Sequence, residues 1–101
     1  MSYRIEYQIR AINEYEDAAD WYYERSEQAS ENFFIAVEEK INILRKEPKR
    51  FRKTFKEFRE VRLNRYPYKI IYTVNEKERL VSIASVFHQK RNPEAKFKDL
   101  P

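Results

Sequence analysis

Hydrophobic and polar residues alternate through "SYRIEYQI". Tyr3, Ile5 and Tyr7 fall on one side, and Arg4, Glu6 and Gln8 on the other. That period of two predicts a half-buried strand, with Ile9 leading out of it. From Ala11 to about Ser26 the period lengthens. Ala11, Tyr15, Ala18 and Tyr22 follow helical spacing, flanked by Ile12, Ala19 and Tyr23. Glu14, Glu16, Asp17, Asp20 and Glu24 fill the remaining faces, which predicts an amphipathic helix whose early acids suit the positive end of its dipole. A break at Ser26–Gln28 precedes a second helical pattern, carried by Ala29, Phe33, Ala36 or Val37, Ile41 and Leu44. Pro48 ends it, because proline cannot donate within a helix and restricts the residue before it. So short a joint predicts an antiparallel helical hairpin.

The period returns to two after residue 60. Val61 and Leu63 oppose Arg62 and Asn64, and Tyr68, Ile70, Tyr72 and Val74 oppose Lys69, Ile71 and Thr73. "NEKER" reads as a polar hairpin turn without the usual glycine. In "LVSIASVFH", alternation sets Val81, Ile83, Ser85 and Phe87 against Ser82, Ala84, Val86 and His88. After Asn92–Pro93 a short polar tail has room for one helical turn. The predicted order is β-α-α-β-β-β. Three strands at hairpin distance form a meander, the first strand joins an edge, and the helical hairpin covers one face. The expected fold is an α+β two-layer sandwich on a mainly antiparallel four-stranded sheet.

The chain has 101 residues, so one domain spanning 1–101 is expected. It contains no cysteine, which excludes disulfides, thiol catalysis and cysteine metal sites. It contains no glycine, which excludes phosphate loops whose close backbone approach needs a residue without a Cβ. The first residues are polar and no apolar stretch is long enough to span a bilayer, so a cytoplasmic protein of bacterial type with no membrane partner is expected. No metal site and no cofactor is expected.

Charge divides the chain. Residues 1–44 carry 4 Lys/Arg against 10 Asp/Glu, net −6; residues 45–65 carry 10 against 3, net +7; residues 66–101 carry 7 against 4, net +3. The total is the formal +4. The basic half suits an anion, either nucleic acid or an acidic protein. Trp21, Tyr22 and Tyr23 are consecutive on the first helix. Neighbours diverge by about 100° around a helix, so at least one of them is exposed and free to contact a partner.

The order of elements, and the stretches "AINEYEDAADWYYERS", "ASENFFIAVEEKINILRKEP", "REVRLNRYPYKIIYTV" and "LVSIASVFHQKRNP", resemble the RelE/ParE superfamily of type II toxin–antitoxin systems. The resemblance runs nearly end to end. An arginine, an aromatic-Pro-Tyr, an Ile-Tyr strand and a last strand ending in His and Arg resemble its ParE-like, plasmid stabilisation branch. It implies a small bacterial toxin held inactive by a cognate antitoxin in a hetero-oligomer. RelE-like members cleave mRNA on the ribosome without a metal; ParE-like members poison DNA gyrase.

The two targets call for different residues. Metal-free RNA cleavage needs a base for the 2′-OH, cations for the phosphorane and an acid for the leaving oxygen. Arg62, Lys69, His88 and Arg91 are the candidates, with Glu57 or Glu60 as base. If the helices cover Val61, Leu63, Ile70 and Tyr72, then Arg62 and Lys69 share the uncovered face, and alternation adds His88. The RNase branches place a tyrosine directly after this histidine, or close to the C-terminus. Here Gln89 follows, and no tyrosine occurs after Tyr72. That departure favours ParE-like action on gyrase over an endoribonuclease. A third reading is a non-toxic homologue that only binds antitoxin. For the antitoxin or nucleic acid the expected contacts are Lys49, Arg50, Arg52, Lys53, Lys56 and Arg59, with Trp21 and Tyr22. Phe51, Phe55 and Phe58 lie among these cations as loop anchors or stacking platforms.

Overall fold

The computed structural model describes residues 2–90, 95–98 and 100. Strand β1 (Arg4–Tyr7) leads into helices α1 (Ile9–Tyr23) and α2 (Glu27–Lys46). A short 3-10 turn, Pro48–Arg50, precedes β2 (Lys53–Phe55), β3 (Phe58–Arg62), β4 (Tyr68–Asn75) and β5 (Leu80–His88). The sheet runs β1-β5-β4-β3-β2. Strands β2 to β5 form the antiparallel meander, and β1 joins β5 in parallel, Tyr7 beside Ile83.

The architecture is α+β, with two helices packed on a sheet of five strands rather than four. The extra strand is β2, where the basic segment doubles back through Lys56 and Glu57 to pair Lys53 with Arg59 and Phe55 with Phe58. All three of its residues are exposed, so it buries no face and leaves no alternation to read. With β1 in parallel, the sheet is mixed.

Both helices begin earlier than their apolar pattern. Ser26 caps α2, its hydroxyl accepting from the Ala29 N–H at 2.9 Å, as serine does at this position. Because α1 starts at Ile9, no acid lies in its first turn, contrary to the dipole expectation. The helices bury Ala11, Ala18, Phe33, Val37, Ile41 and Leu44. These pack with Val61, Leu63, Tyr68, Ile70, Tyr72, Val81 and Ile83, as the alternation of β3 and β4 predicts. The Tyr72 hydroxyl donates to the Pro48 carbonyl at 2.6 Å, which satisfies a buried phenol and ties the 3-10 turn to the sheet.

The second sheet face is also covered. Phe58, Ile71, Ala84 and Phe87 form a smaller cluster under Phe97 and Leu100. The C-terminal turn, closed by Lys98 N–H on the Ala95 carbonyl at 3.2 Å, therefore lies opposite the helices. Phe97 stacks on Phe55 with ring centroids 4.4 Å apart.

Alternation fails in β5. Tyr72 pairs with Ile83 and Ile71 with Ser85, so Ala84 is an extra residue in the strand. Such a bulge shifts the side-chain phase beyond it. Val81 and Ile83 face the helices as expected, but Phe87 joins Ala84 on the second face. His88 pairs with Tyr68, on the helical side.

Candidate functional site

Arg62 and Lys69 are cross-strand partners on β3 and β4. They share the second face, as parity predicts, and Arg62 is exposed. Beside them Glu60 gathers several donors. Its Oε1 lies 3.3 Å from Lys69 Nζ and 2.6 Å from Lys96 Nζ, and its Oε2 accepts from the Thr54 hydroxyl at 2.5 Å. The Glu60 side chain is only 6% exposed. Burial alone would raise its pKa; the hydrogen bonds from Lys96 and Thr54, then the charge of Lys96 and the bond from Lys69, outweigh it and hold the carboxyl below its ordinary value. Glu57 is held low as well, by a hydrogen bond from Lys53 and then by that residue's charge. Carboxylates held low are weak bases at neutral pH, where a general base works best with a pKa near 7.

His88 does not share this face. Its ring stands edge-on to Tyr68, centroids 4.9 Å apart, at a small cleft lined also by Glu14, Asp17 and Ala18 of α1. Its Nδ1 accepts from the Lys90 N–H at 3.1 Å, which leaves the ring proton on Nε2 in the neutral form. Lys69, the residue after Tyr68 on β4, pairs with Phe87 and points the other way. Arg91 lies outside the described residues. Of the four nuclease candidates, Arg62 and Lys69 are brought together and His88 is kept apart.

The basic run divides by role. Arg59 turns inward: its Nη1 donates to the Phe51 carbonyl at 2.6 Å and the Lys49 carbonyl at 3.4 Å, pinning the loop. Lys49, Arg50, Arg52, Lys53 and Lys56 remain exposed along the β2 edge. Lys56 sits at φ 49°, the left-handed turn position between β2 and β3. Of the aromatic trio on α1, Trp21 and Tyr23 are exposed, 43% and 59%. Tyr22 instead stacks on Phe33, centroids 5.0 Å apart. The Arg25 guanidinium lies 3.1 Å above the Trp21 ring centroid.

One network has no counterpart in the sequence reading. Glu14 Oε1 accepts from the Ser85 hydroxyl at 2.5 Å and from the Val86 N–H at 3.0 Å, tying α1 to β5 just past the bulge. Its Oε2 meets Arg10 Nε at 3.3 Å. Arg10 in turn donates to the carbonyls of Lys98, Ala95 and Lys96 at 2.7, 3.2 and 3.0 Å. An acid and an arginine one helical turn apart are a visible signal; that they serve β5 and the C-terminal turn depends on the fold.

The outer side of the helical hairpin carries a shallow apolar groove. Ile12 and Phe34 are 41% and 53% exposed there, beside Tyr7, Tyr15 and Ala19. At its floor the Tyr7 and Tyr15 hydroxyls both donate to Glu38 Oε2, at 3.4 and 3.1 Å. Burial, then the Glu38 charge, pushes both phenols up and keeps them protonated donors. Among the described residues no cluster of His, Asp and Glu is placed to hold a metal, and no helix is long and apolar enough to cross a membrane.

A family model described as the ParE toxin of the type II toxin–antitoxin system parDE matches residues 2–93, and the chain belongs to this family. Comparison with curated protein sequences finds no match. Among solved structures, the chromosomal ParDE system of P. aeruginosa superposes with a TM-score of 0.71 at 14% identity, covering 86% of this chain and 96% of that one. A mutant of the E. coli toxin RelE in the free state gives 0.65 at 16% identity, covering 89% and 86%. The intact E. coli RelBE toxin–antitoxin complex gives 0.54 at 20% identity, covering 89% and 100%.

Proposed function

We propose that this chain is the cytoplasmic toxin of a type II module, that it acts on DNA gyrase rather than by cutting RNA, and that a cognate antitoxin holds it inactive. One observation carries the choice of target. The bulge at Ala84 sends His88 to the helical side while Arg62 and Lys69 stay on the other face. General acid chemistry needs its proton donor within hydrogen-bond reach of the phosphate that the cations hold. A sheet lies between them here, and Lys69 is engaged by Glu60. The low carboxylates of Glu57 and Glu60 point the same way.

The antitoxin is assigned to the helical hairpin. Ile12 and Phe34, exposed in one groove beside Tyr7 and Tyr15, offer the apolar anchors that a protein interface uses at its centre. The acids around it, within a segment of net charge −6, select an amphipathic partner segment with basic flanks.

The test is induction in a sensitive host without antitoxin, following DNA synthesis and pulse-labelled translation together. Loss of DNA synthesis with translation initially spared supports the gyrase reading. Prompt loss of translation with cut mRNA would replace it with the endoribonuclease reading, in which Arg62 and Lys69 hold the phosphate. Unimpaired growth would make the chain a non-toxic antitoxin-binding homologue.

A further inference from the structure

We propose that the β2 edge binds the phosphate backbone of duplex DNA without reading its sequence. The inference builds on the gyrase reading, whose target works on duplex DNA, and it adds a direct contact between toxin and that DNA.

Residues 49–59 hold six Lys/Arg and one acid. Five of the six, Lys49, Arg50, Arg52, Lys53 and Lys56, are exposed along one rim: the 3-10 turn, the outermost strand and its turn. Arg59, the sixth, is spent on holding that rim. Its bonds to the Phe51 and Lys49 carbonyls, the Tyr72 bond to Pro48, and the Phe55–Phe97 stack fix the backbone from which the cations project. A fixed row loses less freedom on binding than a mobile tail does.

The charges are available. Arg52 and Lys56 make no ion pair among the described residues. Arg50 lies 3.9 Å from Glu47 and Lys49 3.5 Å from Glu76, with all four side chains about half exposed or more. Lys53 meets Glu57 at 2.6 Å, and Glu57 is 76% exposed. Exposed pairs of this kind contribute at most about 1 kcal/mol and yield readily to a competing anion.

The composition of the rim selects a polyanion over a protein. Protein interfaces are depleted in lysine and need apolar anchors at their centre. The exposed large apolar residue here is Phe55, at 40%. The same ring selects duplex over single strand. Single-strand binders stack bases on free aromatic faces, whereas Phe55 is stacked on Phe97 and has Lys56 Nζ 5.2 Å from its centroid. What remains is phosphate contact, which positions a protein without specifying sequence. The helical half, net −6, is repelled by DNA and turns the rim toward it.

The experiment is fluorescence anisotropy of the full chain, freed of antitoxin, with a short labelled duplex of arbitrary sequence. Roughly four phosphate contacts predict about a 100-fold loss of affinity between 50 and 200 mM salt. The triple variant Arg52→Ala/Lys53→Ala/Lys56→Ala, all surface changes, is expected to bind at least tenfold more weakly at low salt and to lower the salt slope by about 3. Arg4→Ala/Lys40→Ala, elsewhere on the surface, is expected to change neither. Absence of binding at low salt, undiminished binding by the triple variant, or displacement by single-stranded RNA in preference to duplex would overturn the inference. A gyrase supercoiling assay separates the two readings. Gyrase inhibition without DNA binding retires the rim and leaves the target standing; DNA binding without gyrase inhibition does the reverse.

Discussion

His88 and Tyr68 face each other across β4 and β5 with rings edge-on, centroids 4.9 Å apart, while Lys69 beside Tyr68 leaves the opposite side of the sheet. The histidine is packed where a nuclease site would need it free to meet a phosphate. His88→Ala is therefore expected to preserve growth arrest and to cost roughly 1 kcal/mol of stability, the scale of an aromatic pair. Plating efficiency after induction, with a urea titration of the purified variant, checks both parts. Loss of arrest at full stability would favour the alternative, nuclease reading.

Glu14 is expected to matter more for stability than any other acid on α1. Glu14→Ala strands the Val86 N–H and the buried Ser85 hydroxyl, and an unmet buried polar group costs about 1–3 kcal/mol. The expected loss is roughly 3 kcal/mol, with Glu14→Gln losing about half as much because one acceptor oxygen remains. Asp20→Ala, exposed on the same helix, is expected to stay within about 0.5 kcal/mol of the parent. Equal losses for Glu14→Ala and Asp20→Ala would mean that the Glu14 bonds to Ser85 and Val86 do not stabilise the fold.

Acid is expected to loosen the second face of the sheet. Glu60 has a lower pKa folded than unfolded, so the folded chain holds fewer protons in that range. Its contribution is complete above the unfolded value and is lost as pH falls through about 4 toward the folded one. Glu60→Gln should flatten the fall of Tm between neutral pH and that range, as thermal melts across pH would show. A variant that follows the parent curve would mean that Lys96 and Lys69 do not stabilise the folded carboxylate.

Phe34→Asp is expected to abolish rescue by co-expressed antitoxin while leaving arrest intact. The side chain is half exposed beside Tyr15, ring centroids 6.3 Å apart, so the change costs little folding energy. Two measurements decide it: growth on co-induction, and retention of antitoxin on the immobilised chain. Undiminished rescue would move the antitoxin off the helical hairpin.

Where one face of an element is buried, its phase was written in its residues. Tyr68, Ile70 and Tyr72 reach the core as their spacing demands, and the adjacency of Arg62 and Lys69 follows from the same parity. Two places carried no such record. β2 is exposed on both sides, so no alternation marks it. From Ile83 to Phe87 every residue of β5 is buried, so small and apolar residues fill both faces and the extra Ala84 makes no mark. The face of His88 was lost at that point. Glu14 could not be told from Glu16 or Asp17 in the chain, since what singles it out is the backbone of a strand some seventy residues away.

The parallel seam between β1 and β5 joins the first strand to the last, Ile5 beside Val81 and Tyr7 beside Ile83. During synthesis β1 waits without its partner until residues 80–83 have been made. Contacts so far apart in sequence form late and slowly. The contacts between α1 and α2 are available earlier, while the faces that these helices bury on the sheet wait for it. A chain of this topology therefore closes its sheet only after both helices have been synthesised.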